Sequence, residues 1–313
     1  MRERTTRRRY LRLAGTLGAG IAAAGCLRAD QSSADGETET PSARLSYPES
    51  DRVAWHVPLG GQYNDGLAGV VSTGSGPVAF GGRAGDGWKG PWLLGRDDDG
   101  AARWEQTLET EQLLVPTDGT VLDGGQLAFS LAGYTDAIGH TFRGLLVTDP
   151  DGTVVTRTLA TDLVSNDYTI TQSGDGTPVL GGRTGGGDDT AGAIRAVSTD
   201  GTTRWEHRFG AGSEGTERVT GVAEAGESVL AVGSTEKLRS ETGWVATVDA
   251  NGIAKLASFD TAAQSVRRAD DGYLVLTDAG WHRIDASGTV QVETVFGGRP
   301  YQMASTTDGR VFV

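Results

Sequence analysis

The chain of 313 residues contains a single cysteine, Cys26, and only three lysines, Lys89, Lys237 and Lys255. A domain that follows Cys26 therefore has no disulfide, no cysteine ligand for zinc and no cysteine nucleophile. Helical periodicity is also missing, because no stretch after residue 50 keeps an apolar period of 3.6 over ten or more residues. These absences favour a domain built from strands and turns.

Basic charge is scarce as well, and the formal net charge is −13. Loss of residues 1–25 would remove six arginines and one acid and leave a net charge of −18. The negative net charge argues against a nucleic-acid partner, because binding to a phosphate backbone needs a basic protein surface. An acid-rich, lysine-poor composition is similar to that of proteins from salt-loving archaea, in which salt screens the self-repulsion.

The first 25 residues have the layout of an export signal. An arginine-rich start is followed by a weakly apolar run over residues 13–25, which is too short to span a bilayer as a helix. The segment from Thr6 to Arg12 resembles the twin-arginine export motif, with Arg7 and Arg8 as the paired arginines. Tyr10 stands where phenylalanine is more usual.

The segment Ala23-Ala24-Gly25-Cys26 resembles the box that lipoprotein signal peptidases cleave. The resemblance implies that Cys26 becomes the lipidated N-terminus and attaches the protein to the outer face of the cytoplasmic membrane. The alternative is a stray cysteine in an ordinary signal peptide. Residues 26–50 are polar and acidic, so we expect a disordered linker between the lipid and a single domain over residues 51–313.

From about residue 53 the chain repeats a unit of four short strands, with an acidic turn closed by glycine before the last of them. The glycines of these turns are 52, 49, 51 and 36 residues apart. In the first unit, the three other strands are Leu67 to Ser72, Val78 to Gly82 and Pro91 to Leu94. The turns are Asp97 to Gly100, Asp149 to Gly152, Thr199 to Gly201, Asp249 to Gly252 and Asp285 to Gly288.

Four antiparallel strands per unit of about fifty residues are typical of a propeller blade. Five units are complete, while an additional strand near Trp55 precedes them and a two-strand remainder, Tyr301 to Val313, follows. Joining these N- and C-terminal strands would close the ring and remove an exposed edge. We therefore predict an all-β fold, a single β-propeller of six blades, with five or seven left open. We expect a monomer.

The units Asp97 to Trp104 and Ser198 to Trp205 resemble quinoprotein-like (PQQ-like) propeller repeats. In that family the glycine turn and the tryptophan dock one blade onto the next. These units have one residue fewer between Asp and Gly than the usual repeat, and a tryptophan appears in three of six copies. The resemblance implies a quinone and calcium as possible cofactors. We predict neither. The adjacent cysteines common in that family are absent, and acidic turns such as Asp97 to Asp99, which could bind calcium, are interpreted as solvated turns that recur in every blade.

A sialidase-type glycosidase is a second enzyme hypothesis, because that family uses arginines on one propeller face. Arg83 and Arg183 each follow a Gly-Gly pair and are interpreted as equivalent, so they could bind a carboxylate or phosphate. They could equally pair with nearby acids such as Asp86 and Asp188. The Asp-box is incomplete, because the segment from Ser198 to Gly201 lacks the spacer residue.

Propeller geometry places ligands on the face made by loops between blades and between second and third strands. The candidate binding residues on that face are Asp65, Arg83, Trp88, Tyr134, Asp167 and Arg183. His56 and His207 follow tryptophan positions and are expected to be structural, and the four histidines lack metal-ligand spacing. No catalytic residue is predicted.

Three hypotheses follow from the sequence. The preferred one is an exported, lipid-anchored, non-enzymatic module that binds a protein or glycan. The alternatives are a quinone- or calcium-dependent oxidoreductase and a glycan-active hydrolase or lyase.

Overall fold

Short apolar segments separated by glycine turns form strands throughout the described chain. The computed structural model describes residues 12–15, 55–58, 64–85, 88–110, 113–134, 141–160, 169–184, 191–210, 215–237, 240–269, 272–295, 304–305 and 311–312. Every regular element within these ranges is a β-strand, and the strands form five four-stranded antiparallel sheets and two strand pairs. The predicted all-β class and the four-strand unit are confirmed.

Each sheet is a simple meander of four consecutive strands. The first sheet contains β3 (Asn64–Thr73), β4 (Gly76–Gly85), β5 (Trp88–Arg96) and β6 (Ala102–Thr107). The second contains β7 (Leu113–Val121), β8 (Leu127–Tyr134), β9 (Thr141–Thr148) and β10 (Val154–Ala160). The third contains β11 (Thr169–Gln172), β12 (Pro178–Thr184), β13 (Ala191–Val197) and β14 (Thr203–Phe209). The fourth contains β15 (Thr216–Ala225), β16 (Ser228–Lys237), β17 (Ser240–Asp249) and β18 (Gly252–Phe259). The fifth contains β19 (Ala263–Ala269), β20 (Gly272–Thr277), β21 (Gly280–Ile284) and β22 (Val290–Val295).

The two ends of the chain contribute only strand pairs. Strand β1 (Arg12–Gly15) pairs with β2 (Trp55–Pro58), and β23 (Ala304–Ser305) pairs with β24 (Val311–Phe312). Strand β23 also contacts β19 of the fifth sheet. A sixth four-stranded sheet that closes a ring stays a prediction, and residues 26–50, the expected linker, lie outside the described residues.

The five sheets pack in chain order through their first strands, so β3, β7, β11, β15 and β19 contact one another in sequence. Side chains tie these inner strands together. The Asp118 carboxylate accepts hydrogen bonds from the Thr169 hydroxyl at 2.8 Å and from the Ile170 amide at 3.0 Å. The Thr220 hydroxyl donates to the Ala263 carbonyl at 2.7 Å. The sheets are therefore stacked in series, as blades are in a propeller.

All five acidic turns connect the third strand of a sheet to its fourth, as predicted. In the first, the Gly100 amide donates to the Asp97 carbonyl at 3.0 Å, and Gly100 has φ of 81°. A type I turn followed by a left-handed residue gives this three-residue hairpin, and glycine adopts that conformation without strain. The turn at Asp249 is shorter, because Asp249 pairs directly with Gly252.

Apolar side chains fill the space between successive sheets. Phe80 of the first sheet packs against Phe129 of the second, with ring centroids 5.3 Å apart. Phe209 of the third sheet stacks on Trp244 of the fourth at 4.5 Å. Both faces of an inner sheet are thus buried against neighbours, which explains why its middle strands are almost continuously apolar.

A second contact joins the sheets near their outer edge. We call it a seam: the fourth strand of one sheet packs on the third-to-fourth turn of the next. In the first seam, the Trp104 indole donates to the Pro150 carbonyl at 3.1 Å. A Cβ built on Gly152 would lie 2.6 Å from the same indole, so only glycine fits beneath it. Tryptophan-on-glycine docking, implied by the family resemblance, is therefore present here.

The other seams use different side chains in the same place. Thr158 covers Gly201 in the second seam, and Leu256 covers Gly288 in the fourth. In the third seam, the ring of Trp205 lies 5.4 Å from that of His207, whose Nε2 bonds the Asp249 carbonyl at 2.8 Å. The predicted structural role of His207 is confirmed.

Among the described residues, no helix has the length and apolar character needed to cross a bilayer.

Replacing Trp104 with alanine should lower the free energy of unfolding by about 3 kcal/mol, because it empties the first seam. Lys255→Ala changes an exposed residue of the equivalent strand β18 and should cost roughly 0.5 kcal/mol or less. Chemical denaturation of both variants beside the unmodified chain measures the difference. Equal losses would show that the indole contributes nothing special to the seam.

Candidate functional site

The described residues of the predicted binding set lie at one end of the sheets, opposite the acidic turns. Asp65 pairs with Arg83 across β3 and β4, and Trp88 is the first residue of β5. Tyr134 is the last residue of β8. The structure describes the side chains of Arg83 and Arg183 only, and Asp167 lies outside the described residues. The strand order therefore brings the described members of the set to a common end of their sheets.

Arg83 is held within its own sheet. The guanidinium lies 4.6 Å from the ring centroid of Trp92 and forms an ion pair with Glu105. The Trp92 indole donates to the same carboxylate at 2.9 Å. Burial alone would raise the pKa of Glu105, but the hydrogen bonds from Trp92 and Arg83 lower it below its ordinary value. Arg83 therefore pairs with Glu105, which was not among the acids expected from the sequence.

Arg83 and Arg183 do not occupy equivalent positions, and their interpretation as a matched pair is wrong. A Cβ built on Gly82 would contact Val115 of the second sheet. Side chains alternate between the two faces along a strand, so the Arg83 side chain, one residue later, lies on the face of the first sheet that points away from the second. A Cβ built on Gly181 would contact Val219 of the fourth sheet. The Arg183 side chain, two residues later, therefore lies on the face of the third sheet that points toward the fourth. The two arginines differ in face because the hairpin before each strand differs in length. The loop before β4 has two residues and the loop before β12 has three, and one additional residue moves every following side chain to the other face.

Arg183 instead lies against the backbone of the fourth sheet at Arg218, a residue that the sequence motifs did not single out. Arg183 pairs with Gly192 across β12 and β13, and a Cβ on Gly192 would lie 3.5 Å from the Cα of Arg218 in the fourth sheet. Arg183 is half-buried and makes no ion pair or hydrogen bond with the described residues. A guanidinium in that state can bind an anion from solution.

Arg218 is fixed by two partners. Its Nε donates to the Ser234 hydroxyl at 2.9 Å, and its guanidinium also bonds Glu241 at 2.6 Å. The side chain keeps 28% of its surface exposed, so it is still accessible to a ligand. Glu217, its neighbour in β15, accepts a hydrogen bond from Thr235 at 3.3 Å.

We call Arg183, Arg218, Ser234 and Glu241 the arginine rim. These residues share the end of the sheets opposite the acidic turns, but they lie on two faces. Arg183 faces the fourth sheet, whereas Val219 faces the third, so Arg218, one residue earlier in β15, faces the fifth sheet together with Ser234 and Glu241. Each guanidinium can bind a carboxylate or phosphate, but the two do not converge on one ligand, and Glu241 already pairs with Arg218. No sequence motif marks Arg218, and only its position at the start of an inner strand could have indicated it.

The acidic turns use their carboxylates internally. Asp97 Oδ1 accepts from the amides of Asp99 at 3.1 Å and Ala101 at 2.7 Å, and Asp285 makes the same pattern with Ser287 and Thr289. A calcium ion at Asp97 to Asp99 would have to compete with these amides. Within the described ranges, no group of three or more His, Cys, Asp or Glu side chains could hold a metal ion.

Asp175, in the turn between β11 and β12 at the same end of the sheets, is another carboxylate stabilised by its own turn. The Ser173 hydroxyl donates to it at 2.7 Å and the Thr177 amide at 3.1 Å. Arg204 adds an ion pair at 3.0 Å. These groups lower the pKa of Asp175 to about 2, with the Ser173 hydrogen bond as the largest cause.

Comparison with known proteins gives a fold likeness only. No protein-family model matches the chain, and no curated protein matches it. A protein of unknown function from Bacteroides caccae is 13% identical with a TM-score of 0.43, covering 78% of this chain and 80% of that one. The Pan2 WD40 domain of Neurospora crassa is 15% identical with a TM-score of 0.49, covering 78% and 69%. A gluconolactonase from Xanthomonas campestris is 10% identical with a TM-score of 0.37, covering 64% and 86%. Such values carry no argument about function.

Acid should weaken the fold partly through Asp175. Because its folded pKa is lowered, the carboxylate stabilises the folded state above its unfolded pKa of about 4. That contribution is lost as the pH falls toward a folded pKa of about 2. Asp175→Asn should therefore flatten the pH dependence of the unfolding free energy between these values, measured by denaturant titration. Asp99→Asn, at an exposed turn position, is the matched control and should keep the wild-type slope. Identical slopes for all three proteins would contradict the assignment.

Proposed function

We propose that the protein is exported, attached to the outer face of the cytoplasmic membrane by a lipid on Cys26, and acts there as a non-enzymatic binding module. The observation that carries the anchor is the position of the only cysteine, which directly follows small residues and an arginine-led apolar run. A binding role is favoured by Arg183 of the arginine rim, a half-buried guanidinium with no partner among the described residues.

The rim suggests the chemistry of the ligand. Arg183 has no partner among the described residues, and Arg218 is exposed enough to share its guanidinium between Glu241 and a bound anion. A carboxylate-bearing sugar on a glycan, or an acidic side chain of a protein, would pair with Arg183. Screening by salt would be needed, because the net charge of the chain is −13.

The anchor is tested by Cys26→Ser in a host that carries out twin-arginine export. The variant should appear in the medium, whereas the unmodified chain stays with the membrane, because the lipid needs the thiol. Ser32→Ala, in the expected linker, should remain membrane-bound as a matched control. Lysine in place of both Arg7 and Arg8 should keep the protein inside the cell. A Cys26→Ser protein that still fractionates with membranes would refute the lipid anchor.

The rim is tested with glucuronate and glucose as a matched charged and neutral pair, by calorimetry on the full chain at high salt. Glucuronate should bind and glucose should not. Arg183→Gln should weaken glucuronate binding at least tenfold, because it removes the unpartnered guanidinium. Arg204→Gln, at the opposite end of the sheets, should leave binding unchanged. Equal binding of both sugars, no binding of either, or equal loss in both variants would contradict the rim.

A further inference from the structure

The second seam is filled differently from the first and the third. In the first, an indole covers the turn glycine, and in the third Trp205 is packed against the core of the following sheet. In the second seam, the much smaller Thr158 covers Gly201. A threonine occupies far less volume than an indole, so we expect unfilled space beside it.

A cavity of about 60 Å³ does lie at this seam, between the second and third sheets. Its apolar walls are Leu145, Leu180 and Val197, and its polar residues include Thr158 and Arg195. At roughly 15 Å³ for each molecule, the space is enough for on the order of four waters. The same space accommodates one small polyatomic ion.

Arg195 lies in this seam without a carboxylate partner among the described residues. The residue directly across the strand pair is Glu206, whose carboxylate bonds Arg208 at 3.2 Å instead. The Nε of Arg195 is buried and has no hydrogen-bond partner within the described ranges. A partly buried guanidinium without a counter-charge is costly, and so a bound anion would stabilise this arrangement.

We propose that the cavity of the second seam binds a small inorganic oxyanion of the phosphate or sulfate type. Arg195 supplies the positive charge and its N–H donors, and the Thr158 hydroxyl supplies a further donor. The apolar walls offer nothing to a cation. The ion takes the place that an indole occupies in the first seam and links the second sheet to the third. This site is separate from the arginine rim and independent of the proposed function.

The test is calorimetric titration of the full chain with inorganic phosphate, with ionic strength held constant by sodium chloride. Phosphate should bind saturably and raise the melting temperature, because a ligand that binds only the folded state stabilises it. Arg195→Gln should weaken phosphate binding at least tenfold. Arg157→Gln changes an exposed arginine of β10 and should bind as the unmodified chain does. Thr158→Val keeps the shape of the side chain and should weaken binding severalfold.

Two further arms make the outcome decisive. Arg183→Gln removes the rim arginine, so phosphate binding that survives in this variant and is lost in Arg195→Gln belongs to the seam. If Arg195→Gln does not fold, Thr158→Val still reports on the cavity. No saturable binding to the unmodified chain would mean that the cavity holds only water, and would overturn the proposal. Equal binding by the Arg157, Arg195 and Thr158 variants would overturn it as well.

Discussion

The packing of each fourth strand onto the turn of the next sheet is the contact on which the rest of the structure depends. A four-stranded antiparallel sheet with two apolar faces cannot stand alone in water and must be covered on both sides. The seam covers the sheet faces at their outer edge, where the Trp104 indole lies over Gly152 and donates a hydrogen bond to the Pro150 carbonyl. Because the turn glycine has φ of 87° and no room for a Cβ, the repeat keeps glycine there.

The seams also decide where polar groups are placed. Sheets that are aligned at their turns present their other ends together, and the third sheet thereby places Arg183 against the backbone of the fourth sheet at Arg218. In the acidic turns at the opposite end, the carboxylates accept hydrogen bonds from backbone amides of the same turn, as Asp97 does. Recognition groups and structural acids thus lie at different ends of the same sheets, which is the physical basis of the proposed binding role.

Much of the fold could be predicted from the sequence, because turn glycines and alternating apolar strands act locally. The strand predicted from Leu67 to Ser72 lies inside β3, and the acidic turns connect the strands that the repeat indicated. The candidate site was harder, since the face on which a side chain lies depends on hairpin length. One additional loop residue before β12 puts Arg183 on the other face from Arg83, although both follow Gly-Gly. Arg218 carries no motif, because its position follows from its backbone packing near Gly192 and from its side-chain bonds to Ser234 and Glu241.

The most direct test of this account is a double-mutant cycle on the first seam with Trp104→Ala and Gly152→Ala. Gly152→Ala places a methyl group 2.6 Å from the indole and also strains a backbone at φ of 87°. Removing the indole relieves the first effect but not the second. The account predicts that Gly152→Ala costs at least about 1 kcal/mol less in the Trp104→Ala background, measured as unfolding free energy. Additive losses would contradict the seam as the contact that joins the sheets.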